Sequence, residues 1–178
     1  MSTDEVSRSK GILILARRTG MTDARLAAIE ELYRAQFRAF VSVATAIVGD
    51  ADEAFDAVQD AFASAVRRRA RFRGDAPLEA WLWRIVLNSA RDRARRGRRA
   101  PQPILDAEPS RNGHEPASPP TWLLDLTERQ RTVVFLRYYA DHDYHMIASL
   151  LGISEGTVGA TLSKAHAALR PRLEEERA

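Results

Sequence analysis

Apolar residues recur at three- and four-residue steps over residues 27–48 (Ile29, Leu32, Tyr33, Phe37, Phe40, Val41, Ala44, Val48), which predicts a helix with one buried face. Gly49 sits where helices commonly stop. Asp50, with Glu53 three residues on, reads as a carboxylate capping box for the next helix. There Ala54, Phe55, Val58, Ala61, Phe62, Ala65 and Val66 form an apolar face. Asp56, Gln59, Asp60 and Ala63 share another face, and such a polar stripe is ordinarily solvated. A third helix opens near Pro77, since proline is best tolerated in a first turn. Leu78, Leu82, Ile85, Val86 and Ser89 point to one side of it, Arg84, Asn88, Arg91 and Arg95 to another, and Trp81 falls at the border.

The pattern lapses at two places. Residues 1–25 show no long periodicity and are expected to form a flexible tail. Met21 stands just before the first strongly periodic helix, so a start at Met21 and an ordinary extension from Met1 both fit. Residues 100–121 hold six of the eight prolines and a net charge of −2, the makeup of a semi-extended linker. Helical patterning resumes beyond it. Thr127-Glu128-Arg129-Gln130 fits a capping box, followed by Val133, Val134, Leu136 and Tyr138. A short helix over about 144–151, Gly152-Ile153-Ser154, and a helix through about Leu169 ended by Pro171 have helix-turn-helix spacing. Ala148 is small where the second helix packs over it, Gly152 permits positive φ, and Ser154 caps. The chain is therefore expected to be all-α, with small helical domains at 26–99 and 122–178 joined by a Pro-rich linker.

Charge sharpens this picture. Residues 67–99 carry 12 Arg against Asp75, Glu79 and Asp92, a local +9, whereas the whole chain is +3. So one-signed a surface is the footprint of nucleic-acid contact. Two Trp and a Phe lie among the arginines, as in sites that hold unpaired bases as well as phosphates. Only two of the 27 basic residues are Lys, and Arg grips phosphate with a planar fork. Cys is absent, which excludes disulfides and thiolate chemistry. No Gly-rich phosphate loop or paired carboxylates stand out, so no enzyme activity is expected, and no cofactor or metal. Asp141, His142, Asp143 and His145 sit in the loop entering the short helix, where solvation or capping is expected rather than metal binding.

GDADEAFDAVQDAF and FRGDAPLEAWLWRIVLNSARD, then LTERQRTVVFLRYYADHDYHMIASLLGISEGTVGATLSKAHAAL, resemble regions two and four of a bacterial RNA polymerase sigma factor of the extracytoplasmic-function (ECF) group. The resemblance implies a cytoplasmic chain that binds core RNA polymerase and promoter DNA and is commonly held by an anti-sigma factor. It implies no membrane attachment. Asp56, Gln59, Asp60 and Phe62 would meet polymerase. Arg71, Phe72, Arg73 and Asp75 belong to the loop that captures a flipped base of the minus-ten element, and Trp81, Arg84, Asn88, Arg91 and Arg95 to the helix that holds the non-template strand. Ser154, Glu155, Thr157, Thr161 and Lys164 fall in the helix-turn-helix DNA surface. The last helix departs from the family pattern: Gly159-Ala160-Thr161 stands where basic residues are usual, and Glu155 and Lys164 are the only charges from 155 to 169. Two other readings stay open, a sigma-like decoy and a stand-alone helix-turn-helix regulator.

Overall fold

The computed structural model describes residues 3–97 and 125–175, with side chains over 23–97 and 125–171. The linker expected at 100–121 lies outside the described residues. Among those residues the regular structure is helical: α1 (Thr3–Val48), α2 (Ala51–Arg68), a 3-10 turn (Arg69–Arg71), α3 (Leu78–Gly97), α4 (Glu128–Tyr138), α5 (Tyr144–Leu151) and α6 (Glu155–Glu175).

The first three helices pack pairwise around Phe40, Val43, Val58, Leu82, Trp83 and Leu87, each at most 1 % exposed. Gly49 turns α1 into α2 with φ +87, and Asp50 then accepts the Glu53 amide at 2.8 Å. Of the expected capping box only this half forms, because the Glu53 carboxylate turns instead to Arg93 on α3. Ser89 donates to the Ala57 carbonyl at 2.8 Å, tying α3 to α2. In the second group Thr127 and Gln130 exchange both bonds of a capping box at the start of α4. Asp143 caps α5, Gly152 ends it at φ +66, and the Ser154 hydroxyl accepts the Thr157 amide of α6 at 3.1 Å. The helix-turn-helix expected from spacing is thus present, with Ile147, Val158 and Ala165 fully buried in it.

Two helix ends are corrected. Helix α1 begins at Thr3 rather than near residue 27; no proline interrupts the earlier stretch, and a helix already nucleated by its buried face extends through Gly11 and Gly20. Helix α6 runs through Pro171 to Glu175. Proline there removes the amide donor to the Ala167 carbonyl, so the last turn continues the helix with one bond fewer.

The two groups share one apolar core. Leu126 is buried, and Arg131 of α4 donates to the Ala46 carbonyl of α1 at 3.0 Å. His142, 6 % exposed, sets its ring edge-on to Trp83 at 4.9 Å.

Candidate nucleic-acid and partner interfaces

The arginine-rich segment folds as a 3-10 turn, an extended loop and α3. Phe72 is extended at φ −65 and ψ 118, and Gly74 reverses the chain at φ +82. Arg71, Arg73, Gly74 and Asp75 are exposed as a result. Phe72 is half-buried and meets Trp81 of α3 with ring centroids 5.3 Å apart. The loop thus presents cations around an aromatic pair, and Trp81, one of the two tryptophans among the arginines, belongs to it. Trp83 does not. It is fully buried, and its Nε1 donates to the Gln36 side-chain oxygen at 3.0 Å. The Gln36 amide nitrogen in turn donates to Glu79 at 2.6 Å.

Along α3, Arg84, Asn88 and Arg95 are exposed and Arg91 is half-buried. Arg95 pairs with Asp92. Arg84 donates to the Ser149 hydroxyl of α5 at 2.8 Å. The expected inner face is rotated: Trp83, Leu87, Ala90 and Ala94 are buried with Leu82 and Val86, whereas Leu78, Ile85 and Ser89 are only half-buried.

Asp56, Gln59 and Asp60 are exposed on α2. Two of them are already partnered within the chain, because Arg93 of α3 reaches Glu53, Asp56 at 2.7 Å and Asp60 at 3.1 Å. Their carboxylates hold the Arg93 pKa above its ordinary value, the bond to Glu53 first among the causes. Sequence reading missed Arg93 because it follows the α3 arginine stripe out of register. The signal was in α2: acids at 53, 56 and 60 on one face call for a cation opposite them. Phe62 lies in the core, as its place on the apolar face of α2 predicts, which corrects only its reading as an exposed polymerase contact. It is 8 % exposed and touches Tyr33 and Phe40 at centroid distances of 4.7 and 5.1 Å. Phe55 is corrected the other way, 37 % exposed beside Asp56. A groove of 530 Å³ between α1 and α2 is lined by Leu26, Ile29, Tyr33, Gln59 and Phe62.

On the helix-turn-helix, Ser154, Glu155 and Lys164 are exposed and Thr157 is half-buried. Thr161 is turned inward, and its hydroxyl donates to the Thr157 carbonyl at 2.7 Å, so it cannot reach a base edge as it stands. The Glu155 carboxylate accepts from His145 Nδ1 at 3.1 Å. His142, expected in a solvated loop, is buried between the two groups, and burial lowers its pKa from the ordinary 6.5 against the opposing pull of Glu79, Asp143 and Asp141. Among the described residues no three His, Cys, Asp or Glu side chains come together to hold a metal. Among them too, no single helix is long and apolar enough to cross a membrane.

An all-helical chain with a helix-turn-helix and a one-signed arginine face is a DNA-binding protein by its architecture. Its relatives narrow the class. The Sigma-70 region 2 family model matches residues 32–100, and the Sigma-70, region 4 model matches residues 123–169. The ECF RNA polymerase sigma factor SigM of Mycobacterium tuberculosis is 32% identical over 147 residues, 80% of this chain and 75% of the relative. The RNA polymerase sigma-E factor of Streptomyces coelicolor is 31% identical over 150 residues, 81% and 85% of the two chains. Among solved structures, CnrH in complex with the cytosolic domain of CnrY aligns with a TM-score of 0.66 at 25% identity, covering 89% of this chain and 95% of that one. The sigma factor RpoE of Bartonella quintana, in complex with the anti-sigma factor NepR, shares the fold at a TM-score of 0.63 and 22% identity, covering 82% and 96%. The chain belongs to the ECF sigma factors, the RNA polymerase subunits of transcription initiation.

Proposed function

We propose that this chain recruits core RNA polymerase to its promoters and opens them with the segment from Arg71 to Arg95. One observation carries the reading: an exposed arginine loop and helix face are built around the Phe72–Trp81 pair. Arginine contacts to phosphate supply sequence-independent, salt-dependent affinity. An aromatic pair at the loop receives an unstacked base. Preferential binding of the open strand then shifts the duplex equilibrium without ATP. In this reading residues 26–99 and 122–178 are separate domains joined by 100–121. Arg71, Phe72, Arg73, Asp75 and Trp81 handle the captured base, and Arg84, Asn88, Arg91 and Arg95 track the displaced strand. Asp56, Gln59 and Asp60 offer polymerase an acidic edge, with exposed Phe55 beside it. Phe62 supports that edge from below, at the floor of the α1–α2 groove. The protein works in the cytoplasm as a polymerase subunit and not as an enzyme in itself. The anti-sigma complexes of its structural neighbours support an anti-sigma partner here.

On the helix-turn-helix, Ser154, Glu155, Thr157 and Lys164 remain available for upstream DNA. The near-neutral surface of α6 favours a second reading, a decoy that binds polymerase and does not initiate. Transcript sequencing from a promoter library, with core polymerase and this chain, separates the two. Specific start sites that depend on the chain support initiation; polymerase binding without starts supports the decoy. Arg84→Ala with Arg91→Ala should abolish promoter opening and leave polymerase binding intact. On open-strand DNA the double variant should lower the slope of log K against log salt by about 1.4, from two lost single-strand phosphate contacts. Loss of polymerase binding together with opening would remove this face from the DNA assignment.

A further inference from the structure

The loop that carries Phe72 is gripped from outside its own segment. Arg25, half-buried on α1, places its guanidinium carbon 5.7 Å from the centre of the Phe72 ring. The same guanidinium donates through Nη1 to the Arg69 carbonyl at 3.4 Å. Arg69 opens the 3-10 turn and Phe72 follows it, and the Phe72 amide also donates to that carbonyl at 3.4 Å. One side chain therefore holds both ends of the turn. The segment around the turn is cationic: Arg67, Arg68, Arg69, Arg71 and Arg73. A sixth cation in such a place is repelled unless it has specific acceptors, and the π face and the carbonyl are such acceptors. An arginine placed against that repulsion contributes geometry rather than further attraction for phosphate.

We propose that Arg25 is a positioning residue for base capture: it fixes the ring of Phe72 against Trp81 and so keeps the loop in the form that receives the flipped base. This rests on the reading of the Phe72–Trp81 loop as the base site. Arg25 itself acts through Phe72. Lysine, which keeps a cation but not a planar fork, should restore part of the effect; leucine, which keeps only the apolar stem, should restore none.

The test uses holoenzyme assembled from core polymerase and the full chain, on a promoter identified by the transcript sequencing above. Two versions of that promoter are compared, one intact and one abasic at the captured non-template position. On intact DNA, Arg25→Ala should lower open-complex formation by about fivefold, the scale of one cation–π contact with a weak hydrogen bond. On abasic DNA the variant and the natural protein should open equally, because no base remains to be received. Polymerase binding of Arg25→Ala should match the natural protein, and its Tm should fall by no more than about 2–4 °C, the scale of the contact removed. A fivefold loss that persists on abasic DNA would overturn the proposal, since a merely structural role gives that result. No loss on intact DNA would overturn it too. Phe72→Ala is the control for the site. If its defect also persists on abasic DNA, the base-site reading itself falls; if its defect disappears there and that of Arg25→Ala does not, only the role of Arg25 falls.

Discussion

Arg93 joins three carboxylates of α2 with a guanidinium that is itself only 21% exposed, while its partners are 53 to 67% exposed. Open ion pairs contribute little singly, but one arginine serving three acids pays its ordering entropy once. Arg93→Ala should cost about 1 kcal/mol, less at high salt, read as a shift in the urea midpoint. Its second consequence is functional: three acids lose their internal cation, so polymerase affinity should rise or hold while stability falls. Gly159 offers a residue-scale gain. A Cβ there would meet Tyr144 Cε2 at 3.5 Å, ordinary contact, and the glycine lies inside a helix. Gly159→Ala should therefore stabilise the chain by up to about 1 kcal/mol, raising Tm by about 2–4 °C in a calorimetric scan. Residue roles set by neighbours in sequence were legible beforehand, as the caps at Asp50, Thr127 and Ser154 show. Roles set by partners far along the chain were not. Arg93, Gln36 and His142 take their meaning from residues 33 or more positions away.

At the scale of elements, periodicity gives the existence of a helix more securely than its rotation. The face of α3 was expected to bury Leu78 and Ile85; burial of Trp83, Leu87 and Ala90 shifts that face by about one position. A tryptophan beside arginines fits a base-binding surface and a core equally well in sequence terms, and only the Gln36 acceptor decides for Trp83. The same uncertainty of rotation placed Phe55 inside, whereas Phe62 was rightly placed on the apolar face of α2 by its spacing and, like Thr161, was given an outward role only by the family resemblance. Helix starts with side-chain caps were well placed because a cap is a local bond. The start of α1 and the end of α6 were not: no long periodicity marked the first, and Pro171 does not stop the second. The capping box of α4 gives this difference a test. The Thr127 hydroxyl accepts the Gln130 amide at 3.3 Å, and the Gln130 side chain accepts the Thr127 amide at 2.8 Å. Thr127→Ala removes the first bond and loosens the second, and should cost about 1 kcal/mol in chemical denaturation. Helix α4 meets both α1 and α6, so the loss should be felt across the whole chain and not as local fraying.

At the scale of the molecule, the helix-turn-helix group lies against the arginine face that the proposed function needs free. Ser149 occupies Arg84, Arg131 holds the Ala46 carbonyl, and the His142 ring rests on Trp83. Under the proposed function, promoter engagement through Arg84 would require α5 to withdraw, and His142 would make that step sensitive to pH. Its ring faces Trp83 and Glu79 of α3, with Asp141 and Asp143 in its own loop; Arg137 of α4 donates to its carbonyl at 3.1 Å. Nε2 is buried without a partner. Burial outweighs the three carboxylates and lowers the pKa below 6.5, so the packed form favours the neutral ring. In separated groups the ring returns to water and to its ordinary value. The separated form therefore binds more protons between the lowered value and 6.5, and packing strengthens as pH rises through that window. The His142 contribution to packing is fully present above pH 6.5 and is lost as the pH falls below it. Energy transfer between dyes on Ser64 and Ser163 should report a compact chain at neutral pH and a more open one on mild acidification. His142→Met fills the same space without a titrating group and should remove the pH response while keeping the chain compact. A natural chain whose transfer efficiency does not change across the window would show that His142 does not govern the packing. If the response survived in His142→Met, the titrating group would have to be sought elsewhere.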